Sequence, residues 1–331
     1  MGIGFQIIDG VGRFSVDCLF HQAEKRLDDV LDQHSAGMLS DPAYIAELKA
    51  IITDSPEYID GHAHLGHALL ASGKTRAALS SYEFGIALGE TAIPVDFSGT
   101  LSWYELDNRP FLRALHGAAL AQLRLKKRKA GISLMERMLS LNPDDNQSVR
   151  YLLGSEYMRN REPEKASFLL ESWAEHYPPC AYDLGLLRFK QNKFVAAATQ
   201  LRRAFTANFY IAEILCGHPD PAPLSIWHDS NYAMPELARH YAQDYGKLWH
   251  DTCDALPFLH WLYHHPKVLL ERADVLDCRE QLEWEHSVER RQKILYREQE
   301  FLAQIDDRIS EEIVTLRSAR DGRPVYPWWR L

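Results

Sequence analysis

Residues 60–82 read DGHAHLGHALLASGKTRAALSSY, and the reading of this stretch decides the fold. His62, His64 and His67 follow closely on Asp60, and His-x-His beside an aspartate is text that metal-dependent hydrolases show. The same residues also read as a helix, a glycine turn and a second helix. The two readings compete. In a helix, at about 100° per residue, His62 and His64 stand roughly 200° apart and cannot share a metal. His64 and His67, three apart, could share one, but the local sequence supplies no third ligand.

Spacing outside the stretch favours the helices. Leu65-Gly66 is followed by Gly73 at plus seven and Ala78 at plus twelve. Leu153-Gly154 is followed by Ala166 at plus twelve, and Leu184-Gly185 by Ala197 at plus twelve. A weaker copy puts Ala118-Ala119 in the Leu-Gly place and Gly131 in the alanine place, with Pro143 closing it. The anchors Ala119, Gly154 and Gly185 lie 35 and 31 residues apart, whereas Gly66 to Ala119 spans 53, so an insertion is expected in GETAIPVDFSGTLSWYELDNRP. Packing explains the pattern. Small residues let two helices approach closely, and a large side chain there costs about 1–3 kcal/mol by overpacking. Leu65, Tyr82, Leu153 and Leu184 are the larger core residues, each worth roughly 1.5–3 kcal/mol when fully buried. One such hairpin cannot bury its own apolar face, so several must stack.

This spacing resembles the tetratricopeptide repeat over residues 58–207. It departs from the family in lacking the early tryptophan and in having only Pro143 at the closing position. A second resemblance joins DNRPFLRALHGAALAQL, LNPDDNQSVRYLL, ANFYIAEILCG and ELARHYAQDYGKLWHDTCDALPFL to bacterial repeat proteins similar to the suppressor-of-tumorigenicity-type repeat region; it implies a scaffold and no reaction. The first resemblance implies an all-α, right-handed helical solenoid whose concave face is lined by fixed positions of each first helix. Those positions are Ala63, His67, Leu70 and Ala71, then Arg113, His116, Leu120, Leu123 and Arg124. Ser148, Tyr151, Ser155, Met158 and Arg159 follow, then Pro179, Tyr182, Leu186, Phe189 and Lys190. On this reading the face carries four cations, several aromatics and no acid. It suits an acidic or carboxylate-bearing segment with an apolar anchor. The expected partner-binding residues are His67, Arg113, His116, Arg124, Tyr151, Met158, Arg159, Tyr182, Phe189 and Lys190. The family's carboxylate clamp of Lys and Asn is absent.

Bulk properties agree with a folded interaction protein. Of 331 residues, 46% are apolar and 25% charged, as in ordinary globular chains. A net charge of -9 disfavours general nucleic-acid binding. The basic run RLKKRKAG at 124–131 is the exception; it reads as a solvated repeat-turn surface, and nucleic-acid binding through it, a third reading, would show steep salt dependence. The five cysteines are odd in number, widely spaced and without C-x-x-C, which suits a reducing cytoplasm. No signal peptide or membrane span is expected, and no cofactor.

The remaining chain divides into an N-terminal helical region (1–57), a helical extension (208–271) and a C-terminal part (272–331). In the last, Val288, Leu295, Leu302, Ile309 and Leu316 recur every seven residues. One long amphipathic helix is expected there, capping the solenoid or forming a homodimer through 282–316. Gly322 and Pro324 end it, and VYPWWRL either caps the core or recognises a partner. HDTCD at 250–254 and HWLYHHP from 260 are the second histidine-rich place, 250–265, with His260 and His264 on one helical face. The metalloprotease pattern needs a glutamate where Trp261 stands. The expected function is therefore a non-enzymatic scaffold or adaptor, with a metal-dependent hydrolase using 62–67 or 250–265 as the alternative.

Overall fold

β1 (Ile3–Ile8) and β2 (Val11–Val16) form an antiparallel hairpin around Asp9-Gly10. Both turn residues have positive φ, at 52° and 79°, as the tightest hairpin turns require. The computed structural model describes residues 2–16 and 18–330; the side chains of Val16, Leu19 and Arg330 lie outside the described part. The N-terminal region is thus not wholly helical. Alternating glycines and β-formers at 3–16 favour strands, and α1 (His21–Ser35) and α2 (Asp41–Asp54) follow. Ser40 is the N-cap of α2, with proline in its first turn.

Two compact units divide the chain after Glu156. In the first, α3 (Ile59–Ala71), α4 (Thr75–Ala92), α5 (Arg109–Arg124) and α6 (Arg128–Leu141) pack in sequence, and α3 also meets α5. The insertion after α4 is not a free loop. It supplies β3 (Thr100–Leu101), parallel to β2. Gly99 makes this possible, since a Cβ there would meet the Gly10 carbonyl oxygen at 1.9 Å. Asn108, fully buried, then locks the sheet: its Oδ1 accepts from Phe14 N at 2.9 Å and its Nδ2 donates to Gly12 O and Ser102 O at 3.0 Å each.

α7 (Arg150–Arg159) contains the boundary. The second unit continues with α8 (Pro163–Trp173), α9 (Pro178–Lys190), α10 (Phe194–Ala207) and α11 (Phe209–Leu215). α12 (Pro235–His250), α13 (Ala255–Tyr263), α14 (Pro266–Trp284), α15 (Val288–Ala303) and α16 (Asp307–Val314) complete it.

One backbone feature fixes the repeat register. Gly73, Lys126, Arg161 and Asn192 all have left-handed φ, at 74°, 63°, 63° and 58°. Each lies seven residues after its anchor Gly66, Ala119, Gly154 or Gly185. At each turn the same two bonds form: Gly73 N to Leu70 O and Lys74 N to Leu69 O, then Lys126 to Leu123 and Lys127 to Gln122. Arg161 to Met158, Glu162 to Tyr157, Asn192 to Phe189 and Lys193 to Arg188 repeat them. The two bonds together, one spanning three residues and one spanning five, make a Schellman helix end. Ala78, Ala166 and Ala197 are fully buried, as close helix packing demands.

The single long C-terminal helix is corrected to three. Glu285 and Ser287 are extended, which separates α14 from α15, and Asp306 caps α16 by accepting from Arg308 N at 3.0 Å. Val288 and Leu316 of the heptad are exposed instead of lining a seam. α14 and α15 pack together with a buried ion pair, Arg279 Nε to Glu298 Oε1 at 2.7 Å. The tail docks on its own unit: Trp328 is 2% exposed, with ring centroids 4.8 Å from Phe258 and 5.3 Å from Trp261. No helix among the described residues is long and apolar enough to cross a membrane.

Candidate peptide-binding cleft

α3 and α5 present one concavity of about 470 Å³ in the first unit. It brings together four of the ten expected residues, His67, Arg113, His116 and Arg124, with Leu70 and Leu120 as apolar lining. His67 and Arg124 are exposed; Arg113 and His116 are half-buried. The helix period explains the convergence, since residues three and four apart share a face.

Tyr82 of α4 contributes to the lining although it is only 2% exposed. Its ring sits where a Cβ on Gly66 or Gly117 would come within 2.6 Å and 2.1 Å of it, so these two glycines make the slot it occupies. Its hydroxyl has no hydrogen-bond partner among the described residues. Burial pushes its pKa up to about 12, against a downward pull from Arg124. It therefore stays a neutral donor.

The charges differ from the expectation that the face holds no acid. Asp60 stands six residues before Gly66, as Arg113 stands six before Ala119, and both its oxygens accept from Arg113 Nη1 at 2.8 Å. Arg113 is thus largely compensated. Arg124 donates only to a neutral group, Leu70 O at 2.9 Å, and has no ion pair among the described residues. Burial lowers the pKa of His64 and of His116, partly offset by Asp60 and Asp145 respectively; His67 lowers both further. Trp103, delivered by the insertion, lies on the cleft with Arg113 Cζ 6.0 Å and Arg109 Cζ 5.2 Å from its ring centre.

In the second unit the expected lining is covered by the chain itself. Met158, Tyr182 and Phe189 are buried, so they are core residues and unavailable to a partner. Tyr182 donates to Asn208 O at 2.9 Å and its ring lies 6.2 Å from Tyr241 of α12. Phe189 packs 4.8 Å from Phe258 of α13. Arg159 stacks 4.4 Å over Tyr245 and donates to Asp244 O. The helices that follow the repeats fill this face, and only Lys190 of the group is exposed. Tyr151, half-buried on α7, is not among the residues lining the first-unit cleft.

The histidine-rich places do not assemble a ligand set. His62 Nε2 pairs with Pro56 O at 2.8 Å, whereas His64, 3.7 Å from Asp60, lines the cleft together with His67. His264 Nδ1 pairs with His260 O at 2.8 Å. Among the described residues no three His, Cys, Asp or Glu side chains gather as a metal site. In 124–131, Arg128 is engaged by buried Glu156 at 3.2 Å, which leaves the basic run less free than its sequence implies.

No protein-family model matches the sequence, and no curated protein matches it. Among solved structures, the chain is similar to the MamA protein, with a TM-score of 0.45 and 16% identity over 61% of this chain and 98% of that one. It is also similar to the TPR domain of P58(IPK), with a TM-score of 0.25 and 15% identity over 88% and 95%. The four matching turns at residues 73, 126, 161 and 192 each join two successive helices: the fold is a series of helical hairpin repeats of the tetratricopeptide kind.

Proposed function

We propose that the chain is a non-enzymatic interaction scaffold of the cytoplasm whose first unit holds a segment of a partner protein in the α3–α5 cleft. The segment is acidic, with an apolar anchor. One observation carries this reading: a single cleft combines an uncompensated guanidinium, Arg124, with an unpaired donor, the Tyr82 hydroxyl, above Leu70 and Leu120. A carboxylate would take up both donors, since charge-assisted bonds are the strong ones. His67, His116 and Trp103 would frame it. The hydrolase alternative needs converging ligands: His62 turns away to Pro56 O, and although His64 and His67 share the cleft, no three His, Cys, Asp or Glu side chains gather as a metal site among the described residues.

The test is a peptide array of acidic and basic sequences with and without large apolar residues. The wild-type protein is probed beside Arg124→Glu. Selective retention of acidic, apolar-anchored peptides by the wild type alone supports the proposal. Equal retention by both proteins, or preference for basic peptides, removes it. A second copy of this chain is the other partner to examine, because Trp284, Val288 and Tyr296 are 68%, 79% and 62% exposed along 282–316. Sedimentation of the wild type and Trp284→Asp decides that point.

A further inference from the structure

A second cleft, of about 780 Å³, lies wholly within the second unit and is independent of the α3–α5 cleft. We propose that it binds a small zwitterionic ligand, one carrying an oxyanion and an ammonium group. Three helices each contribute a guanidinium: Arg188 from α9, Arg203 from α10 and Arg279 from α14. None is fully used. Arg203 spends its Nε on Ile305 O at 3.0 Å and has no carboxylate within 4.0 Å among the described residues. Arg188 reaches Gln200 Oε1 at 3.5 Å and Glu171 only at 3.9 Å. Arg279 binds Glu298 through Nε at 2.7 Å, but its Nη1 is buried with no partner. An unpaired buried donor is costly, and a guanidinium fork matches an oxyanion in two places.

The opposite charge is present too. Glu175 and Asp229 are exposed on the same cleft and make no ion pair among the described residues. They come from the turn after α8 and the loop before α12, whereas the arginines come from helices. Because they do not neutralise the arginines directly, a ligand that bridges both sets satisfies both. Leu184, Leu302 and Ala303 supply apolar surface for the linking atoms. A protein of net charge -9 repels free anions in general, so oxyanion binding here would be local.

The proposal is tested by calorimetry on the full chain with two probes, inorganic phosphate and phosphoethanolamine. Phosphoethanolamine is expected to bind more tightly than phosphate by about threefold or more, the worth of one exposed charge pair. Arg203→Gln is expected to weaken both by about tenfold, the loss of a charge-assisted bond. The double variant Glu175→Gln/Asp229→Asn is expected to keep phosphate binding and lose the preference. These three side chains are exposed, and circular dichroism checks that each variant folds. Absence of binding by either probe at millimolar concentration overturns the proposal. So does equal affinity for the two probes in the wild type, or unchanged affinity in Arg203→Gln.

Discussion

Arg113 Nη1 lies 2.8 Å from both carboxylate oxygens of Asp60, a residue 53 positions earlier on the neighbouring first helix. The pair joins α3 to α5 and sets the charge of the cleft. Replacing Asp60 by Asn releases Arg113 and leaves two uncompensated arginines. Acidic peptides are then expected to bind roughly threefold more tightly, an effect that fades at high salt. Stability should fall by no more than about 1 kcal/mol, because Arg113 is 36% exposed and solvent screens the pair. Fluorescence titration at two salt concentrations, with urea unfolding alongside, measures both.

The histidines around the cleft tie stability to pH. Burial first, and His67 in addition, hold the pKa of His64 and His116 below the usual histidine value; Asp60 and Asp145 oppose this. A folded value below the unfolded one means that the unfolded chain takes up more protons. Stability is therefore fully present above the unfolded pKa of about 6.5 and declines as pH falls from there toward the folded values. The melting temperature is expected to drop between about pH 7 and 5, and His116→Gln is expected to flatten part of that slope. An equal slope in wild type and variant would contradict the assignment to His116.

The left-handed turns give a test of the repeat itself. Gly73 adopts its φ of 74° freely, whereas Lys126 and Arg161 hold φ of 63° against a Cβ clash. Lys126→Gly is expected to stabilise the chain by about 0.5 kcal/mol, the strain relieved less the added chain entropy. Gly73→Ala should destabilise it by about 1 kcal/mol. Asn192→Gly should change little, since asparagine tolerates this conformation. Urea midpoints at constant slope rank the three.

The Gly73 turn and the small-residue crossings are legible in the sequence because they are local, whereas the matching turns at Lys126, Arg161 and Asn192 carry no glycine to mark them. Spacing to Gly73 and to Ala78 depends only on the helix period and on small residues at a crossing. The degenerate second copy was found on the same grounds, through Ala119 and Gly131. What covers a helix face is not local. The residues Tyr182 and Phe189 carry the groove spacing, yet Tyr241 and Phe258, far along the chain, close over them. Trp103 reaches the cleft through an insertion that the repeat pattern skips, and Asp60 acts on it through a pairing with Arg113, 53 residues away, that spacing does not reveal. The heptad from Val288 to Leu316 runs through the break at Asp306 because periodicity ignores caps.

Tyr82 separates the structural and binding roles of the cleft. Gly117→Ala would drive a Cβ to 2.1 Å from its ring and should cost about 1–3 kcal/mol by overpacking. Tyr82→Phe keeps the ring and removes a hydroxyl that bonds nothing among the described residues. It is expected to leave the melting temperature unchanged or slightly raised, because no hydrogen bond is lost and a polar group leaves a buried slot. Peptide affinity should nevertheless fall by about tenfold if the hydroxyl donates to the bound segment. Loss of stability without loss of affinity would make Tyr82 a packing residue only. Loss of affinity at constant stability assigns its hydroxyl to the ligand.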